Sequence, residues 1–353
     1  MSPLLAHPPE SLCLVRLSAI GDCCHTLPVV RTLQAAWPGT RITWIIGRTE
    51  HALLDGCAGI EFITFDKRTA AASLGDVHRQ LAGRRFPLLL HMHASMRANL
   101  VSLLVRAPLR LGFDRARARD WQWLFTNRQV RAGEQQHVMD GLFGFAEALG
   151  ITARELRWDI PVGAADRELA ATLRRAGRPL CVISPCSSQR LRNFRNWPVA
   201  RQVALACWLA DEYDADIVVT GGNTALEREY GTAIASALDG RARNLVGQTT
   251  LKQLLAILAE AALLVCPDSG PAHMATAVGT PVVGLYATSN RLRTGPYLSQ
   301  HLVVDRYPEA VAREFGPGAE PRWGARVRRP DAMELITLDD VKEKVGRVLG
   351  ASR

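Results

Sequence analysis

A chain of 353 residues exceeds the size at which one hydrophobic core usually keeps growing, so two domains are the default organisation. With 48% hydrophobic and 22% charged residues, the composition excludes a disordered or fibrous chain. The net charge of +9, carried mostly by arginine, calls for an anionic partner: nucleic acid, an acidic membrane surface or a phosphorylated substrate. No stretch reaches the roughly 18 uninterrupted apolar residues of a membrane-spanning helix. The N-terminal MSPLLAHPPESLCLVRL lacks a basic segment followed by a long apolar run, so no signal peptide is expected. The eight cysteines are scattered and form no CxxC pair, as in a reduced, cytoplasmic protein.

The first predicted strand is LCLVRL, residues 12–17. A turn, Ser18-Ala19-Ile20-Gly21-Asp22, leads into a helix from about Cys24 to Trp37, stopped by Pro38-Gly39. ITWII, EFITF and FPLLLHMH read as further strands, with a polar helix around 74–81 before the last of them. The segment 97–131 differs in character. It holds eight arginines interleaved with Trp121, Trp123 and Phe125, and reads either as a solvated helical face over core aromatics or as an anion-binding rim. An amphipathic helix over 137–149 ends at Gly150, and a polar stretch places the domain boundary near Pro161.

A second α/β series follows. Its strands are LCVIS (180–184), DIVVT, a short RNLVG and an apolar run to Cys266; its helices cover 199–210, 226–238 and 251–259. Pro267 then ends a strand, Asp268-Ser269-Gly270 turns, Pro271 suits a helix's first position, and VVGLY forms the next strand. Beyond residue 306 the chain is basic and Pro/Gly-rich, which predicts loop, before a last helix with Thr337 as N-cap. Alternating strands and helices argue for two open parallel sheets, with ligands at the strands' carboxyl ends.

Candidate chemistry gathers at the βα turns. The turn SAIGD has a single glycine and does not match the dinucleotide fingerprint GxGxxG. It offers Asp22 instead, as a helix cap or as a general base, with His25 one turn on. In SPCSSQRLRNFRNWP, Ser187 and Ser188 supply hydroxyls, and Arg190, Arg192 and Arg195 supply charge for a diphosphate. Glu227 follows a Gly221-Gly222-Asn223 turn, to complement the helix dipole or to bind a ribose diol. His91 and His93 alternate on one strand, a spacing open to a metal pair but without clustered carboxylates beside it.

Four stretches occur in an order that resembles the bacterial ADP-heptose glycosyltransferases, the lipopolysaccharide heptosyltransferases of glycosyltransferase family 9: RLSAIGDCCHTLPVVRTLQ, SSQRLRNFRNWP, GGNTALERE and DSGPAHMATAVGTPVVGLY. The start, PPESLCLVRLSAIGD, is most similar to the OpsX-type heptosyltransferase I branch. The resemblance implies an α/β fold of GT-B type: two Rossmann-like domains with parallel sheets facing across a central cleft. Residues 1–160 would bind the acceptor and 161–330 the nucleotide sugar, and the helix in 331–353 would pack back toward the N-terminal domain.

The same resemblance implies an inverting, metal-independent transfer of heptose from ADP-heptose, with no cofactor. The acceptor would be an anionic lipid A bearing 3-deoxy-D-manno-octulosonic acid (Kdo), plain or phosphorylated, met at the cytoplasmic face of the inner membrane. It assigns Asp22 as the base, and Ser187, Ser188, Arg195, Glu227, Asp268, Ser269, Gly270 and His273 to the donor. His25, Arg97, Arg106 and Arg110 are expected to meet the acceptor. Arg195 stands where the family commonly has lysine, and Ser269 where threonine is commoner. The rival readings are an epimerase or other sugar-nucleotide enzyme of the same build and, more remotely, a nucleic-acid-binding protein, for which no zinc finger or RRM signature is present.

Overall fold

The computed structural model describes residues 4–187 and 193–350. The chain divides into two compact units, Met1–Pro161 and Val162–Arg353. In the first, strands and helices alternate as β1 (Ser11–Val15), α1 (Ile20–Ala36), β2 (Arg41–Gly47), α2 (Arg48–Leu54), β3 (Ile60–Phe65), α3 (Ala70–Leu81), β4 (Leu88–His91), α4 (Met96–Leu103), β5 (Leu109–Gly112), β6 (Arg128–Gln129) and α5 (Val138–Ala148). All six strands are parallel, in the order β3-β2-β1-β4-β5-β6. The central strands are apolar on both faces because helices cover both: Leu12, Cys13, Leu14 and Val15 are all fully buried. In register, Val15 lies opposite Ile45 on one side and His91 on the other.

The second unit repeats the plan with α6 (Ala164–Ala171), β7 (Leu180–Ile183), α7 (Val199–Tyr213), β8 (Asp216–Val219), α8 (Ala225–Ala237), β9 (Ala242–Asn244), α9 (Leu251–Glu260), β10 (Leu263–Pro267), α10 (Gly270–Ala277), β11 (Val282–Tyr286), α11 (Arg291–Thr294), β12 (Val304–Asp305), α12 (Tyr307–Phe315) and α13 (Leu338–Leu349). Its sheet order is β12-β11-β10-β7-β8-β9, again all parallel. Both sheets are therefore doubly wound about their first strand. The strand order reverses between β1 and β4, and again between β7 and β10, and such switch points are where open α/β sheets bind ligands.

Several expectations need correcting. The arginine-rich segment is not one helical face, since it holds the short α4 and two short strands, β5 and the edge strand β6. The tail expected as loop contains α12, whose Tyr307, Ala310 and Val311 are buried. The terminal helix, expected to pack toward the N-terminal domain, spends its apolar face on its own unit: Val341, Val345 and Leu349 join the second core beside Leu205 and Leu209 of α7. Its start is fastened there as well. Trp197 Nε1 donates to Ile336 O at 2.9 Å. Thr337 and Asp340 form a reciprocal capping box, with each side chain accepting the other's backbone N–H at 3.1 and 2.9 Å.

Candidate active site

In the first unit the chain leaves β1 at its switch point and turns directly into α1. Gly47 N–H donates to Leu17 O at 2.9 Å, and a Cβ on residue 47 would collide with that oxygen, so only glycine lets the end of β2 come this close. Helix α1 begins at Ile20, four residues earlier than expected, which puts Asp22 inside its first turn. Asp22 Oδ2 accepts the Ala19 N–H at 3.2 Å and pairs with Arg16 Nη2 at 2.5 Å. The carboxylate thus caps the helix, and it remains 33% exposed.

Arg16 is buried, and its other amino group donates to Met92 O at 2.5 Å, just past the end of β4. One guanidinium therefore spans the switch point and fixes Asp22. Beside it His93 Nδ1 accepts the Leu17 N–H at 3.1 Å, which leaves the ring proton on Nε2. Burial, and then the charge of Arg16, pull the His93 pKa down to about 3, so the ring is neutral. Arg16 escaped the sequence reading, and His93 was weighed there only as half of a metal pair. The available signal was position, since Arg16 immediately follows β1 and His93 lies two residues beyond the end of β4.

The other first-unit candidates divide. His91 Nε2 lies 2.9 Å from Asn99 Oδ1, and burial holds its pKa down to about 4. His91 and His93 thus serve different partners, and no group of three or more His, Cys, Asp or Glu side chains suited to a metal is found among the described residues. His25 is 2% exposed, its ring edge-on to His137 with centroids 5.3 Å apart, so it packs inside the unit rather than meeting an acceptor. Arg110 is also reassigned. Its guanidinium donates to Phe125 O, Val105 O and Ser102 O at 2.8, 2.9 and 2.8 Å, closing the end of α4 and the following loops, so most of its donors serve the fold. Arg97 and Arg106 are exposed.

At the second switch point a polar network runs from the end of β7 to the end of β10. Asn196 Oδ1 accepts the Ser187 N–H at 2.9 Å, and Asn193 Nδ2 donates to Ser187 Oγ at 2.8 Å. Arg195 Nε donates to Asn193 Oδ1 at 2.7 Å, and its Nη1 to Asp268 O at 2.7 Å, with Asp268 Oδ2 3.3 Å away. Both members of this ion pair are buried, and the carbonyl and amide bonds around it supply the extra partners such a pair needs. A second guanidinium, Arg326, approaches Asp268 Oδ2 at 3.7 Å and is 44% exposed. It arrives from the tail by a bridge to Ser289 and by Val327 N–H donating to Thr288 O at 3.0 Å. The sequence reading missed Asn193, Asn196 and Arg326.

Ser269 caps α10 and Gly270 opens it, while His273 is buried one turn in. Glu227 sits in a capping box: its Oε2 accepts the Thr224 hydroxyl at 2.6 Å and its Oε1 the Gly222 N–H at 2.7 Å. Oε1 accepts fewer of these bonds than Oε2, and the lone pair left over suits a ribose hydroxyl. Burial and then Glu227 push the Cys186 thiol, next to Ser187, up to about 12, which disfavours its thiolate. Ser188, Arg190 and Arg192 lie outside the described residues.

Two doubly wound α/β units, each with its polar side chains at a switch point, are the build of sugar-nucleotide enzymes of the GT-B class. The profile of glycosyltransferase family 9 (heptosyltransferase) matches residues 74–316. The lipopolysaccharide core heptosyltransferase OpsX of Haemophilus influenzae is 37% identical over 340 residues, spanning 96% of this chain and 97% of the relative. The chain belongs to glycosyltransferase family 9, the heptosyltransferases. Among solved structures, a family 9 glycosyl transferase from Veillonella parvula superposes with a TM-score of 0.78 at 20% identity, covering 97% of both chains. Escherichia coli heptosyltransferase WaaC, solved with ADP, gives 0.72 at 20% identity, covering 96% of this chain and 99% of that one. At these identities the superpositions establish the fold.

Proposed function

We propose that this glycosyltransferase moves heptose from ADP-heptose onto a Kdo-bearing lipid A in lipopolysaccharide core synthesis, working as a peripheral protein on the cytoplasmic face of the inner membrane. The observation that carries the mechanism is Asp22, oriented by Arg16 and Ala19 and one-third exposed at a switch point. Asp22 takes the proton of the acceptor hydroxyl as that oxygen bonds to the anomeric carbon of the heptose. The bond from that carbon to the diphosphate breaks on the opposite face, its electron pair leaves with ADP, and the configuration inverts. The leaving charge is met on the second unit by Arg195 and Arg326, by the Ser187 hydroxyl and by N–H groups at the start of α10. Guanidinium forks supply there the positive charge that other transferases draw from a metal, so the reaction is proposed as metal-independent. Ser188, Ser269, Gly270 and His273 belong to the same donor site in this reading, and Glu227 takes the ribose. Arg97 and Arg106 stay on the acceptor side.

The test is a mass-spectrometric transfer assay with ADP-heptose and Kdo-lipid A, plain and phosphorylated. A gain of one heptose that falls by roughly a hundredfold or more in Asp22→Asn, with ADP binding retained, is the expected result. ADP release without a glycosylated lipid would place the chain with the hydrolase or epimerase rivals. Full activity in Asp22→Asn would reduce Asp22 to a helix cap.

A further inference from the structure

The three most exposed large apolar side chains among the described residues are Leu124 (63%), Trp121 (62%) and Leu103 (60%). They fall in one segment of the first unit, with Leu100 (46%) beside them. Leu100 and Leu103 are three apart on α4 and so share a helix face. Two sets of hydrogen bonds bring residues 120–125 alongside that helix. Asn99 Nδ2 donates to Asp120 O at 2.6 Å, which ties the residue before Leu100 to the residue before Trp121. Arg110 grips Ser102 O and Phe125 O together, which ties the residues that flank Leu103 and Leu124. The four exposed apolar side chains therefore project from backbone that these bonds draw together, on a framework that the buried His91–Asn99 pair and Gln122 also hold.

The surroundings are strongly basic. Residues 97–131 contain eight arginines against two aspartates, and both acids are engaged. Asp114 binds Arg117, and Asp120 Oδ2 accepts the Met96 N–H at 2.9 Å. Arg97, Arg106 and Arg119 are exposed and make no ion pair among the described residues. Exposed leucines with an indole, in a segment rich in exposed cations, match the boundary between headgroups and acyl chains of an anionic bilayer, where apolar groups enter and guanidiniums meet phosphate. A partner protein's apolar surface would leave these charges unmatched, and a nucleic acid would leave the leucines in water.

We propose that Leu100, Leu103, Trp121 and Leu124, with Arg97 and Arg106, form the surface by which the protein docks on an anionic lipid bilayer. This deepens the membrane-peripheral reading above, and its test is separable from the transferase chemistry, because vesicle binding is read without turnover. The full chain is sedimented with vesicles of phosphatidylglycerol and phosphatidylethanolamine, and with phosphatidylcholine alone. Leu103→Gln/Trp121→Asn removes apolar contact while keeping a residue tolerant of the left-handed backbone at position 121, where φ is 55°. Its melting temperature should equal the wild type's.

Binding to the anionic vesicles should exceed binding to phosphatidylcholine and fall with salt. It should weaken about tenfold or more in Leu103→Gln/Trp121→Asn and roughly fivefold per arginine in Arg97→Gln/Arg106→Gln. The wild type's tryptophan emission should shift to the blue on anionic vesicles by more than that of Trp121→Asn. Unaltered vesicle binding in both double variants would overturn the proposal. So would a concentration-dependent dimer that only Leu103→Gln/Trp121→Asn abolishes, which would assign the cluster to a second copy. Binding to double-stranded DNA as tight as to vesicles, and indifferent to Leu103→Gln/Trp121→Asn, would overturn it in favour of a polyanion. Failure of the transferase reading would instead show as a wild type that docks normally yet transfers nothing to a delipidated acceptor.

Discussion

Acid should loosen the first unit well before its carboxylates titrate. His91 and His93 have pKa values of about 4 and about 3 in the folded chain, against 6.5 for an unperturbed histidine, with burial the leading cause for both. Because the folded values are depressed, the stabilisation is complete above the unfolded value and is lost as pH falls toward the folded ones. Between pH 7 and 5 the unfolded histidines take up protons and the folded ones do not. The loss at pH 5 is about 2 kcal/mol for each ring, or about 4 kcal/mol together. Glu50, whose pKa burial raises, works in the opposite direction, so the comparison with a variant is what counts.

The variant is His91→Gln/His93→Asn. Glutamine keeps a donor toward Asn99, and asparagine keeps an acceptor for the Leu17 N–H. With two units, a single unfolding curve need not be two-state, so opening is best followed by hydrogen exchange on peptides covering residues 88–93 at both pH values. The wild type should lose roughly 4 kcal/mol more protection free energy than the variant between pH 7 and 5. Equal losses would show that the rings do not stay neutral and would refute the reasoning.

Two further outcomes follow from the hydrogen-bond networks. Arg110→Ala leaves the carbonyls of Ser102, Val105 and Phe125 without their donor and should cost roughly 3 kcal/mol in thermal or urea unfolding, with Arg110→Lys recovering little because ammonium lacks the fork. Unchanged stability with a raised acceptor KM would return Arg110 to the acceptor site. Arg326→Ala should weaken ADP binding about tenfold in calorimetry, the equivalent of one charge-assisted hydrogen bond, while shifting stability by less than about 0.5 kcal/mol. An unchanged Kd would remove Arg326 from the donor site.

The parallel sheets were legible because burial on both faces leaves a mark that survives in one dimension. LCLV, LLLH and LLVCP are short runs without polar alternation, which only strands covered by helices on both sides can afford. What escaped was local structure made by tertiary contact. Strands β5 and β6 are four and two residues long and exist by pairing at a sheet edge, while α6 lies in a polar stretch whose packing against α9 no periodicity announces. Helix α1 begins early because its first N–H groups need no partner within the helix, so the SAIGD turn and the first helical turn overlap.

For the sites the division runs between strand ends and side-chain reach. Asp22, Ser187 and Asp268 could be singled out because each follows an apolar run, and the carboxyl edge of a parallel sheet is where polar side chains can converge. Arginines defeat such reasoning, since a guanidinium reaches several ångströms and its best partners are often backbone carbonyls that every residue carries. Arg110, in a cationic stretch, proved to be a clasp on three carbonyls, whereas Arg16, inside a strand-like run, orients the proposed base. Arg326 is the sharper case. It lies beyond the span matched by the family profile, in a segment without a strand or helix of its own, and one bridge to Ser289 brings it to Asp268. The proposed donor site therefore draws on two kinds of sequence: strand ends that declare themselves, and a tail whose contribution depends on where residues 289–327 carry it. A variant that breaks the Ser289–Arg326 bridge should thus impair ADP binding as Arg326→Ala does, although it removes no charge.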